Sequence, residues 1–251
     1  MRRPTTIVAV TSLAREAFVA RGSGVSVVCS QGARLGAALH AAIHPGVSGI
    51  ISFGISGGLN PELVAGDWVI ASTVRYRERA IATDSKWKQE LSERLPGAVL
   101  ADIVGSDTMV PTPAEKSHLF RTTGAVAVDM ESHIAAEIAA AHRIPFAACR
   151  VIIDAAHRAL PAAAGLALDS NGAVNVFAVM RSIMQKPGQI PDLARAAIDA
   201  CIAERALRKG RKQLGPGFAS PFVNGLAVER DFVGQADVSN DFLRPPVCET
   251  P

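Results

Sequence analysis

Short apolar runs alternate with longer amphipathic stretches through the first 155 residues of the chain. The runs at 6–11 (TIVAVT), 25–29, 47–53, 68–74, 99–104, 125–128 and 145–153 are rich in β-branched residues and bounded by polar or turn residues, so each predicts a strand. Between them the pattern predicts helices over 13–20, 32–43, 84–95 and 130–142. Asp84 is placed to cap the third of these, and Pro96-Gly97 to stop it. Thr112-Pro113-Ala114-Glu115 opens another helix with a cap, a proline at the first position and an acid. Two further helices are predicted over 173–185 and 191–212.

Connections this short leave no room for a domain boundary before residue 155. The pattern predicts one α/β domain over residues 1–213, with a mixed, largely parallel central sheet flanked by helices. Residues 214–251 carry Gly-Pro-Gly, isolated phenylalanines and Arg-Pro-Pro without a sustained period, and are expected to form an irregular or disordered tail.

Composition narrows the class. Of 251 residues 49% are hydrophobic and only 5% aromatic, which suits strands buried under helices on both faces. A net charge of +3 gives no electrostatic ground for a nucleic-acid partner. Arg205, Arg208, Lys209, Arg211 and Lys212 crowd together, as expected for a solvated helix end that complements the helix dipole. The four cysteines and six histidines show no metal-ligand spacing, and neither metal nor organic cofactor is expected. The apolar run near the start is too short for a signal peptide, and none approaches the roughly 20 residues of a membrane span; a cytoplasmic protein is expected.

Three segments suggest chemistry. Phe53-Gly54-Ile55-Ser56-Gly57-Gly58-Leu59 follows a strand, and its glycines would let backbone N–H groups approach an anion or hydroxyl. It does not open a helix, which disfavours a dinucleotide site. Val128-Asp129-Met130-Glu131-Ser132 lies at a strand-to-helix junction, where Glu131 can accept hydrogen bonds from a pair of vicinal hydroxyls, or merely offset the helix dipole. Arg150-Val151-Ile152-Ile153-Asp154 is an apolar strand ending in an acid, and a carboxyl at that edge should hold its proton more tightly.

In this order and separation, the three segments resemble the purine nucleoside phosphorylase and nucleosidase superfamily, in particular the 5′-methylthioadenosine/S-adenosylhomocysteine nucleosidases, over about residues 5–155. Leu160-Pro161 through Lys186-Pro187-Gly188-Gln189 resembles a narrower branch, the hopanoid-associated phosphorylases that act on adenosylhopane. The resemblance implies an enzyme that breaks an N-glycosidic bond through an oxocarbenium-like state. Asp154 would protonate purine N7, Glu131 would bind the ribose hydroxyls and Met130 would pack under the sugar. Met109 and Val110 would line the purine pocket, with Ser56, Gly57 and Gly58 also on the substrate. Glu16 aligns with the glutamate that activates water; Arg34 is a phosphate candidate by residue type, though out of the expected position. Hydrolysis and phosphorolysis both stay open.

Ile153 and Ile55 replace the small or hydroxyl-bearing residues usual in the nucleosidases, a change that fits an apolar 5′ group or a weakened site. The implied partners are a small or lipid-linked purine nucleoside, water or phosphate, and further copies of the chain. Three readings follow: cleavage of adenosylhopane to adenine and ribosyl- or phosphoribosyl-hopane, cleavage of a thio-nucleoside, and a nucleoside-binding protein with a decayed site. A lipid substrate would bring transient membrane contact, for which the face carrying Leu193, Ala197, Ile198, Ile202 and Leu207 is a candidate, though packing on the domain is the favoured explanation of that face.

Overall fold

The structure, a computed structural model, describes residues 6–160 and 190–223. In chain order they form β1 (Thr6–Thr11), α1 (Ala14–Ala20), β2 (Val25–Cys29), α2 (Ala33–Ala42), β3 (Val47–Gly58), β4 (Trp68–Tyr76), β5 (Arg79–Ala82) and α3 (Ser85–Arg94). There follow β6 (Val99–Gly105), α4 (Pro113–Thr123), β7 (Ala127–Asp129), α5 (Ser132–His142), β8 (Phe146–Asp154) and α6 (Ile190–Leu214), then a 3-10 turn, Pro216–Ala219. The predicted helix over 173–185 lies outside the described residues.

The strands join in one sheet in the order β2-β1-β3-β7-β6-β4-β5, with β8 bridging β3 and β4. The path β3-β8-β4-β6-β7 therefore returns to β3 and closes a five-strand ring. Five pairings are parallel and three, β3 with β7 and β4 with β5 and β8, are antiparallel. This is the mixed, largely parallel sheet the pattern predicts. One core cluster lies under α2 and α5, with Leu35, Leu39, Ile50, Ile103, Ala135 and Ile152 fully or almost fully buried. The other, around Ile51, Phe53, Trp87, Cys149, Val151 and Leu207, packs under α1, α3 and α6.

Several expectations change. The glycine-rich segment does not follow the strand but continues it: β3 runs through it to Gly58. Gly57 and Gly58 pair with Val128 and Ala127 on one side, and Gly57 with Asp154 on the other. A Cβ at Gly58 would lie 3.1 Å from the Asp154 carbonyl, so the glycines here let three strands converge and close the ring. Residues 75–79, rich in arginine, turn β4 into β5 as a hairpin, and the four residues of β5 are mostly exposed.

The domain also continues past residue 213. Leu214 and Phe218 are buried, Trp87 Nε1 donates to the Phe218 carbonyl at 2.8 Å, and the Arg211 guanidinium stacks 4.2 Å from the Phe218 ring. Arg211 is thus no solvated helix-end residue; it is buried and donates to the Ala20 and Gly215 carbonyls at 3.2 and 2.6 Å. Residues 224–251 lie outside the described residues. The candidate membrane face of α6 is divided: Leu207 is buried, while Ile198 and Ile202 are exposed. Among the described residues no helix is long and apolar enough to cross a membrane.

Candidate active site

The C-terminal ends of β1, β3, β7 and β8 converge, and most of the charged side chains buried in the domain lie there. Glu16 comes from the first turn of α1, where it does two things. Its Oε2 accepts from the backbone N–H groups of Ser12 and Leu13, both at 2.9 Å, and from Ser12 Oγ at 3.2 Å, closing the helix N-terminus. Its Oε1 reaches across to accept from the Ile55 N–H at 2.8 Å. Only 2% of Glu16 is exposed, so the carboxylate faces the strand ends rather than solvent.

Gly54 makes that approach possible. Its φ is +154°, and a Cβ there would run into the Glu16 carboxylate and stand 2.8 Å from Arg150 Nη1. Arg150, on β8 and wholly buried, is the hub of the cluster. Its Nη2 donates to Ser52 Oγ at 2.5 Å and stands 3.4 Å from Glu131 Oε2. Its Nε lies 2.8 Å from Asp129 Oδ2, an ion pair rather than an aligned hydrogen bond. Burial works against the guanidinium charge, but Asp129, Glu131 and Glu16 outweigh it and hold Arg150 more firmly protonated than usual. Asp129 in turn accepts from the Ser132 N–H at 2.8 Å and from the Ser132 hydroxyl, fixing the start of α5.

Glu131 sits in this turn, 5% exposed. Desolvation pushes its carboxyl up to about 8, against the downward pull of Arg150 and a hydrogen bond from Ser12. Met130 beside it is half-buried. Ser56 Oγ is buried and has no hydrogen-bond partner. Gly57 lies between Val128 and Asp154, and a Cβ on it would be 3.5 Å from the Asp154 carboxylate.

Asp154 ends β8 and is 8% exposed. Burial raises its proton affinity above its ordinary value, and the ammonium of Lys116 opposes that shift. Lys116, on α4 and fully buried, donates to the Asp154 carboxylate and to the Ala155 and Arg158 carbonyls, the latter two each at 3.0 Å.

The structure thus gathers Glu16, Glu131, Ser56, Gly57 and Asp154 at one set of strand ends. Gly58 is taken up in the β3–β7 pairing, so a strand ladder stands where a backbone nest was expected. Met109 and Val110 wall a cleft of about 400 Å³ with Thr108, Ala114, Glu115, His118 and Leu119, which Glu16, Glu131 and Asp154 do not line. Ile55 and Ile153 lie on the β3 and β8 face that carries Phe53 and Val151 and pack against that core, so core packing accounts for their apolar character. Arg34 is exposed at the start of α2. Among the described residues no three His, Cys, Asp or Glu side chains gather so as to hold a metal ion.

The sequence reading missed Lys116 and the roles of Arg150, Ser12 and Ser52. Lys116 carried a signal: a cation in the first turn of α4 opposes the helix dipole and so needs another reason to be there. Arg150 carried another, as an arginine inside an apolar strand is sustained only by buried acids.

Known proteins share this architecture. A family model described as the phosphorylase superfamily matches residues 21–183. No curated protein matches the sequence. Among solved structures, the 5′-methylthioadenosine/S-adenosylhomocysteine nucleosidase of Helicobacter pylori superposes with a TM-score of 0.59 at 15% identity, over 85% of this chain and 100% of that one. The futalosine hydrolase of the same organism gives 0.59 at 15% identity, over 84% and 95%. A putative nucleosidase of the first kind from Francisella philomiragia gives 0.59 at 17%, over 84% and 96%.

Proposed function

Because the chain belongs to the phosphorylase superfamily, it is an enzyme of N-glycosidic bond cleavage, and we propose that it hydrolyses a 5′-substituted adenosine. In this reading Asp154 protonates the departing purine, Glu131 holds the ribose hydroxyls and Glu16 orients the attacking water. The observation that carries it is the set of carboxyls around Arg150. Glu16, Asp129 and Glu131 share that one guanidinium, and Ser52 takes part of what remains. Such a surround favours a sugar that is developing positive charge and repels a phosphate dianion, while water meets no such penalty. Arg34, exposed and with no contact to this cluster, adds no counter-charge.

The 5′ substituent is proposed to be a hopanoid. That finer reading rests on the resemblance of the segment at 160–189, nearly all of which lies outside the described residues. The thio-nucleosidase names of the structural relatives support the broader class of 5′-substituted adenosine, at an identity that speaks for fold alone.

The test is adenine release from adenosylhopane and from 5′-methylthioadenosine, each with and without inorganic phosphate. Release from the hopanoid without phosphate is the expected result. Strict dependence on phosphate would overturn the role of Glu16, and release from the thio-nucleoside alone would overturn the lipid. Glu16→Gln keeps the size of the side chain and is expected to lower kcat by about 10²–10⁴-fold, the usual contribution of a general base.

A further inference from the structure

Lys116 is a fully buried cation that the proposed chemistry has not yet used. Its side chain is wholly inaccessible, and its three ammonium protons have three acceptors: the Asp154 carboxylate and the Ala155 and Arg158 carbonyls. Among the described residues Asp154 is the carboxylate it pairs with. A buried ammonium beside a buried carboxylate is sustained because the two charges cancel, which makes Asp154 an anion in the resting protein. An anion cannot act as a general acid. Yet the pair together still holds one proton to give, and moving it from nitrogen to oxygen changes neither the net charge of the buried site nor the contacts of the chain.

We propose that Lys116 is a positioning residue that supplies, through Asp154, the proton delivered to the leaving purine. The inference rests on Asp154 being the acid, as read above. As the bond between the sugar carbon and the purine nitrogen breaks, its electron pair goes to the base. Lys116 moves its proton to Asp154, which passes it on to the purine, so the pair is left as a neutral amine beside an anionic carboxylate. The attacking water bonds to the sugar carbon and gives its proton to Glu16. Exchange with solvent after product release takes the proton off Glu16 and returns one to Lys116, so atoms and charge balance over the cycle.

The other charged groups around the pair are Asp199 on α6, whose field acts on Asp154, and Arg158, whose guanidinium meets Asp199 at 3.5 Å. Neither side chain is changed in the Lys116 variants, which differ from wild type in the group that faces Asp154. A proton held jointly with a lysine persists to higher pH than one held by a carboxyl alone.

The experiment compares pH profiles of kcat/KM for adenine release from adenosylhopane and 5′-methylthioadenosine in wild type, Lys116→Met, Lys116→Arg and Asp154→Asn. Lys116→Met is expected to move the alkaline limb down by at least about one pH unit while retaining activity within about tenfold on the acid side, where Asp154 alone stays protonated. Lys116→Arg keeps the charge but cannot release a proton, and should lose about 100-fold or more across the profile. A uniform loss with an unmoved limb in Lys116→Met, or wild-type rates in Lys116→Arg, overturns the proposal and leaves Asp154 as the acid. Undiminished turnover in Asp154→Asn overturns the underlying reading as well. A substrate-free readout accompanies these: the ¹³C carboxyl signal of Asp154, assigned by its loss in Asp154→Asn. It should titrate at a higher pH in Lys116→Met than in wild type, because the ammonium that favours the anion is gone. Identical titrations overturn the pairing whatever the variants do to turnover.

Discussion

Arg150→Met removes the cation at the centre of the site while leaving an unbranched apolar stem. The guanidinium lies 2.8 Å from Asp129 and 3.4 Å from Glu131, with no exposure to water. Removing one partner of such a buried pair costs about 3–5 kcal/mol, because the remaining charges are left in a medium that solvates them poorly. That is a large part of the roughly 5–15 kcal/mol by which a domain is stable. The penalty must depend on pH. Without Arg150, burial and mutual repulsion raise the folded-state proton affinities of Asp129 and Glu131 above those of the unfolded chain. Carboxyls raised in this way keep their contribution below the unfolded carboxyl range, near about 4, and lose it as pH rises towards the folded value. A tenfold gain in proton affinity on folding corresponds to about 1.4 kcal/mol, so the difference between variant and wild type should be about 1–2 kcal/mol at pH 5 and reach about 3–5 kcal/mol at pH 8. Urea unfolding at both pH values measures it. Parallel stability curves, or a loss below about 1 kcal/mol at pH 8, would refute the view that Arg150 is held by these acids.

Two other outcomes test separate parts of the site. Glu131 holds its proton up to about 8, because burial outweighs Arg150, and ribose hydroxyls need the ionised form as acceptor. The nucleoside KM is therefore expected to rise as pH falls below about 8, and Glu131→Gln to have a high KM without that dependence; a wild-type midpoint near the ordinary glutamate value would contradict it. Gly54→Ala places a methyl group against the Glu16 carboxylate at a φ of +154°. It should lower kcat by about 10²-fold through displacement of Glu16 and stability by about 1–3 kcal/mol, measured by turnover and by chemical unfolding, and wild-type kcat would show that Glu16 need not sit against Gly54.

The order of strands and helices, the Thr112 and Asp84 caps and the mixed α/β sheet were legible in the sequence because each rests on neighbours in the chain. Period, capping residue and stop signal act within a turn or two of the backbone. Glu131 and Asp154 were legible as well, since the edge of a strand is where such a sheet exposes polar groups.

What only the tertiary structure decided are the relations between distant segments. Gly57 and Gly58 read as a place for backbone N–H groups to approach an anion or hydroxyl; the closing ring of β3, β7 and β8 needs them for close approach, a demand set by strands about 70 and 95 residues away. Ile55 and Ile153 read as pocket residues, but the pleat turns both to the core beside Phe53 and Val151. Phe218 read as part of a loose tail because the Trp87 it binds is 131 residues away. Lys116 and Arg150 were visible as residues and not as partners, since the acids that hold them come from other elements. A local pattern states what each segment buries; which charges meet inside is fixed by how the strands close, because only there is water excluded and each buried charge required to find its counterpart.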